Sequence, residues 1–88
     1  GIEINREEYK IIKDNKAILV NRKEFELFYL LASKPGKVFT RDIILSKVWG
    51  HKVIVGDRTI DVHIRKLRSK LGDEHFATIK GVGYKFES

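Results

Sequence analysis

The stretch from Arg58 to Leu71, RTIDVHIRKLRSKL, holds the side chains whose types and spacing point most clearly to chemistry. Stepped at about 100° per residue, Ile60, Ile64, Leu67 and Leu71 fall within an arc of roughly 60° and form the core stripe of a helix. Arg58, Val62, Arg65 and Ser69 lie opposite that stripe. Asp61 and Arg68 flank them on one side and Lys66 on the other. From Arg58 to Lys70 there are five Lys or Arg and one Asp, a local charge of +4. Two readings compete for such a face. Charges at this spacing commonly make a solvated helix surface. They also suit the major groove of duplex DNA, which admits an α-helix and offers guanine edges to Arg and Lys. Val62 favours the second reading, because an apolar residue at the centre of a basic face has no use in water but fits a thymine methyl group.

Other candidates surround that helix. Lys80 precedes Gly81-Val82-Gly83, where a hairpin must turn, and could reach an adjacent minor groove or be an ordinary turn residue. Arg41 falls in the first turn of an earlier helix, where a phosphate is well placed. Trp49 reads as a packing residue whose indole N–H needs a partner. His63 is either a structural hydrogen-bonding residue or a phosphate contact. Asp61 would repel phosphates. It could accept from a cytosine amino group, or it could orient Arg65 or Arg58. Tyr84 reads as core with its hydroxyl at the surface. Arg65 is the strongest candidate for contact with DNA.

Several chemistries drop out. With no cysteine in 88 residues there is no disulfide scaffold, Cys-ligated zinc or Cys nucleophile. The three histidines, His51, His63 and His75, lack metal spacing and predict no metal site, and no cofactor is expected. Gly81-Val82-Gly83 is no dinucleotide fingerprint, no Ser sits in a nucleophile elbow and no carboxylate pair shares a predicted pocket. A catalytic centre is not expected. No run approaches about 18 apolar residues, so no membrane span is expected, and the N-terminal GIEINREEYK is not a signal peptide.

The elements that position these residues follow from periodicity and punctuation. Ile2 and Ile4, then Tyr9, Ile11 and Ile12, then Ala17 to Val20 read as short strands. Asp14-Asn15-Lys16 supplies a hairpin turn, and a second turn is expected around Asn5 to Glu8. Asn21 opens a helix with Glu24 at capping-box spacing, and Pro35-Gly36 ends it. Thr40 caps a second helix carrying Ile44, Leu45, Val48 and Trp49, ended by Gly50. His51 to Gly56 reads as a loop with an apolar tip, Val53-Ile54-Val55. The third helix starts near Asp57 or Arg58 and stops at Gly72, and two strands follow, near 76–80 and 83–86. Strands, three helices and a hairpin describe a single α+β domain.

Several stretches together resemble the effector domain of OmpR/PhoB-type bacterial response regulators, a winged helix-turn-helix. They are EFELF (24–28), PGKV (35–38), VWG (48–50), RTIDVHIRKLRSKLG (58–72) and GVGYKF (81–86), in this order and spacing, within a likeness running from Ala17 to Phe86. The resemblance implies an N-terminal antiparallel four-stranded sheet, a three-helix core and a C-terminal β-hairpin wing. It implies sequence-specific binding of promoter DNA in the cytoplasm, with a receiver domain normally preceding. By position, Asp61, Val62, Arg65 and Lys66 face bases. Arg41, Trp49, Arg58, Thr59, His63, Arg68 and Tyr84 match phosphate contacts, and Lys80 matches the minor-groove position of the wing. Lys52, Val53, Ile54 and Val55 fall in the segment that contacts RNA polymerase. Such domains often sit head-to-tail on direct repeats while remaining monomers alone. Lys66 stands where Arg is frequent, which removes a bidentate fork. The alternatives are a basic protein-interaction module without specific DNA readout and an RNA binder, the latter lacking an exposed aromatic pair for base stacking.

Overall fold

The computed structural model describes residues 2–50, 55–56 and 58–87. At the N-terminal end, β1 (Ile2–Asn5), β2 (Lys10–Lys13) and β3 (Lys16–Ile18) form an antiparallel meander in which Ile11 lies opposite both Ile4 and Ile18. The hairpin between Lys13 and Lys16 turns on Asp14 and Asn15, both left-handed at φ 51° and 66°. These are side chains that tolerate that region, as the sequence predicts. The other turn, residues 6–9, is held by Glu8 N–H donating to Asn5 Oδ1 at 3.0 Å.

The expected four-stranded N-terminal sheet is not what forms: among the described residues the sheet has three strands. Two turns consume residues 6–9 and 14–15, and Leu19-Val20 leads directly to the helix cap instead of pairing. A further strand exists elsewhere. β4 (Phe39–Thr40) pairs with β6 (Gly83–Phe86), giving a second sheet of order β4-β6-β5, with β5 spanning Phe76–Ile79.

Helix α1 (Arg22–Ala32) begins at the capping box that the sequence predicts. Asn21 Oδ1 accepts from Glu24 N–H at 2.8 Å, and Glu24 Oε1 accepts from Asn21 N–H at 3.0 Å. The expected second helix is regular only over α2 (Arg41–Ile44), capped by Thr40. It then widens into a π-type turn over Leu45–Trp49, closed by Gly50 N–H donating to the Leu45 carbonyl at 2.9 Å. Lys23 of α1 donates to the Val48 carbonyl at 2.8 Å, satisfying an acceptor that the turn leaves free. The third helix, α3, runs Arg58–Leu71, and Gly72 stops it at φ 106°.

The core stripe read from the sequence is the observed one. Ile60, Ile64, Leu67 and Leu71 are all at most 1% exposed, packed with Phe25, Leu27, Phe28 and Leu31 of α1 and Ile44 of α2. Each such side chain contributes about 1.5–3 kcal/mol by leaving water. Phe28 meets Phe76 and Phe86 edge-on at 5.8 and 5.5 Å, seating the C-terminal hairpin on the helices. Gly83 allows β4 to approach β6: a Cβ there would lie 1.9 Å from the Phe39 carbonyl oxygen. The result is an α+β winged helix-turn-helix. Of the expected loop from His51 to Gly56, residues 51–54, which include Val53 and Ile54 of its apolar tip, lie outside the described residues. Val55 and Gly56 have no regular structure, and the Gly56 carbonyl accepts from Thr59 N–H at the start of α3.

Candidate nucleic-acid interface

Because its stripe is buried, α3 turns its opposite side outward, and Arg58, Val62, Arg65, Lys66 and Ser69 are all exposed. Val62 keeps 44% of its surface in water at the centre of that crest. Arg58, Arg65 and Lys66 close no ion pair among the described residues. The crest therefore offers three uncommitted cations around one apolar side chain.

The flanks of the same helix are spent differently. Asp61 Oδ1 accepts from Arg41 Nη1 at 2.8 Å and also from the Tyr84 hydroxyl. Arg41 lies over the Tyr84 ring, 5.3 Å from its centroid, so the three side chains make a closed cluster joining α3, α2 and β6. Hydrogen bonds from Tyr84 and then from Arg41 hold the Asp61 carboxyl below its ordinary range, outweighing burial. Burial, followed by donation to Asp61, pushes the Tyr84 phenol up.

Further along, Arg68 Nη2 donates to the Phe76 carbonyl at 2.9 Å and to Thr78 Oγ1 at 2.8 Å, fastening α3 to β5. Lys70 donates to Glu24 Oε1 at 2.6 Å, and only 1% of the Glu24 side chain is exposed. Burial alone would raise the Glu24 carboxyl. Lys70 and the Asn21 backbone N–H prevail and leave it below its ordinary value. The Lys13 ammonium reaches across from β2 to the Leu71 carbonyl, at the negative end of the helix dipole.

Of the residues expected at the interface, Arg58, Val62, Arg65 and Lys66 share one exposed face, and Lys80 is exposed beside Gly81 at the tip of the wing, where Gly81 turns at φ 76°. Asp61 is half-buried in its cluster with Arg41 and Tyr84, which are its hydrogen-bond partners, while Arg65 adds only a weaker electrostatic attraction. Thr59 and His63 lie on one side of α3. His63 Nδ1–H donates to the Thr59 carbonyl at 2.8 Å, and the His63 ring stands edge-on to Trp49, 5.1 Å between centroids. Trp49 is thus a packing residue, with Lys23 above its ring at 6.0 Å. Sequence reasoning missed the Glu24–Lys70 pair, the Lys13 contact and the partners of Asp61. The one available signal was the lone acid on an otherwise basic face.

Comparison with known proteins gives a consistent result. Residues 15–86 match the family described as the C-terminal part of transcriptional regulatory proteins. The phosphate regulon transcriptional regulatory protein PhoB of Rhizobium meliloti (strain 1021) is 37% identical over 91 residues, taking in 99% of this chain and 40% of that protein. The chain therefore spans about 40% of the length of the curated relatives it matches. The crystal structure of the Bacillus subtilis CssR DNA-binding domain is similar at TM-score 0.90 and 32% identity, over 98% of this chain and 99% of that one. The DNA-binding domain of the response regulator AdeR, solved in complex with an intercistronic region, is similar at TM-score 0.88 and 25% identity, over 99% and 94%. The matched span takes in α1, α2, α3 and the wing, and the chain belongs to the OmpR/PhoB-type family of transcriptional regulatory protein C-terminal effector domains.

Proposed function

We propose that this domain binds double-stranded DNA in a sequence-specific manner to regulate transcription, as the output part of a two-component response regulator whose receiver domain lies outside these residues. The crest of α3 carries the reading: Arg58, Arg65 and Lys66 are exposed around Val62 and close no ion pair among the described residues, on a helix whose opposite stripe is core. In this reading α3 enters the major groove. Arg65, Lys66 and Val62 meet base edges, with Asp61 beside them. Arg41, Trp49, Arg58, Thr59, His63, Arg68 and Tyr84 lie along the phosphates, and Lys80 approaches the minor groove. The same reading assigns residues 52–55 to RNA polymerase and a head-to-tail pair of domains to direct repeats, in the cytoplasm.

Selection of bound fragments from random duplex DNA, followed by titration at several salt concentrations, tests the proposal. Contact with about six phosphates predicts a slope of log K against log salt near −5. The selected fragment should bind at least about a thousandfold more tightly than random sequence. Absence of any complex with duplex DNA at low salt would defeat the proposal in favour of a protein-interaction module. Preference for single-stranded RNA in competition would defeat it in favour of RNA binding.

A further inference from the structure

Asp61 is the only acid between Arg58 and Lys70. Its carboxylate makes no hydrogen bond to the cations of its own helix among the described residues. It receives the Arg41 guanidinium, from the first residue of α2, and the Tyr84 hydroxyl, from the middle of β6. Those two elements are themselves joined, since β4 leads into α2 and pairs Phe39 with Tyr84 and Thr40 with Gly83. The Arg41 guanidinium lies over the Tyr84 ring as well. Asp61 thus closes a ring that runs from α3 through α2 and β4 into the wing and back.

We propose that Asp61 is a positioning residue for specificity: it holds Arg41 and Tyr84 in place and so fixes the wing and the second helix relative to the recognition helix. The proposal rests on the DNA-binding reading above and gives Asp61 a role other than base contact. Arg41, which has N–H groups beyond the one given to Asp61, would then be presented to a phosphate from outside α3 at a position set by that carboxylate, with the Tyr84 hydroxyl spent on bracing it. Conserving that position matters because phosphate contacts set the register in which base-reading side chains meet their edges. A displaced register costs discrimination more than total attraction.

The opposing expectation is simple. If Asp61 is only a negative charge near DNA, removing it should strengthen binding to every sequence alike. The test uses Asp61→Asn, Tyr84→Phe and the double variant, each measured on the selected fragment and on random duplex at one salt concentration. Asp61→Asn should weaken binding to the selected fragment about tenfold while binding to random DNA holds or rises. Tyr84→Phe, which removes only the hydroxyl, should lower the same ratio, and in the Asp61→Asn background it should add little. A uniform gain on both DNAs, or full additivity of the two substitutions, would overturn the proposal.

A second arm keeps its failure apart from that of the DNA-binding reading. If the wild-type domain fails to discriminate the two DNAs, the functional reading is at fault. The Asp61 ring is then judged in the free protein by the Arg41 side-chain N–H resonances. These should be protected from exchange in wild type and exposed in both Asp61→Asn and Tyr84→Phe. Equal protection in all three proteins would overturn the positioning role.

Discussion

The crest and the flanks of α3 lie on one helix and use the same residue types to opposite ends. Of the five cations between Arg58 and Lys70, Arg68 and Lys70 are committed to β5 and α1, while Arg58, Arg65 and Lys66 are unpaired among the described residues. The one acid is committed to α2 and the wing. A charge count over the helix therefore overstates how many cations are free of protein partners and hides what holds the helix in place. The physical distinction is burial of the partner. Lys70 meets a carboxylate whose side chain is 1% exposed, and Arg68 meets the backbone carbonyl of the buried Phe76, so these contacts are part-buried and directional. The exposed pairs of the N-terminal sheet, such as Lys10 with Glu8 at 3.8 Å, lie in the class that contributes little.

The largest effect that would sharpen this contrast comes from the flank. Glu24→Ala removes the acceptor for Asn21 N–H and for Lys70 together and opens a small void between α1 and α3. A loss of about 3 kcal/mol in unfolding free energy is expected, read by urea denaturation. An unfolding free energy within about 0.5 kcal/mol of wild type would show that the buried pair contributes no net stability.

Next comes the crest. Arg65→Ala should leave unfolding free energy within about 0.5 kcal/mol of wild type. It should weaken binding to the selected fragment by about 1–3 kcal/mol and relax the preference at one base pair. Equal losses on selected and random DNA would return Arg65 to the phosphate-contacting class. A large loss of stability would erase the distinction between crest and flank.

How much of this division was readable beforehand depends on sequence separation. The cap at Asn21 and Glu24, the turn at Asp14-Asn15 and the stripe Ile60, Ile64, Leu67 and Leu71 are written in residues three or four apart or adjacent, and they form as expected. The crest was readable for the same reason, since it is the complement of that stripe. Strand β4 was not. It has two residues, too few for a periodic signal, and exists because Gly83 lets β6 come close. The π-type turn at Leu45–Trp49 likewise depends on a lysine 25 positions from the carbonyl it satisfies. The commitments of Asp61 and Lys70 span 20 and 46 positions, distances over which no local pattern carries information. The four-stranded N-terminal sheet implied by family resemblance is a three-stranded one among the described residues, because the turns at 6–9 and 14–15 and the run into the cap at Asn21 leave room for three short strands.

A smaller effect concerns acid. The Glu24 and Asp61 carboxyls are both held below their ordinary values of 4.5 and 3.8. A carboxyl whose folded value is depressed contributes stability that is present above its unfolded value and lost as pH falls through the folded one. Thermal midpoints should therefore decline as pH drops from about 5 towards 2. Glu24→Gln should flatten that decline more than Asp61→Asn, because Asp61 is 42% exposed and screened while Glu24 is buried. The reverse order would place the stronger clamp at the wing end of the helix.

The smallest expected effect separates a solvated crest from one that reads DNA. Val62 already exposes 44% of its surface, so Val62→Ala should change unfolding by less than about 0.5 kcal/mol. On DNA, two methyl groups facing a thymine methyl would be worth about 1 kcal/mol. Replacing each thymine of the selected fragment in turn by deoxyuridine deletes that methyl and nothing else. At one position the loss from deoxyuridine and the loss from Val62→Ala should fail to add, because each removes half of the same contact. If the losses add at every position, Val62 touches no thymine, and the recognition assigned to the crest reduces to its three cations.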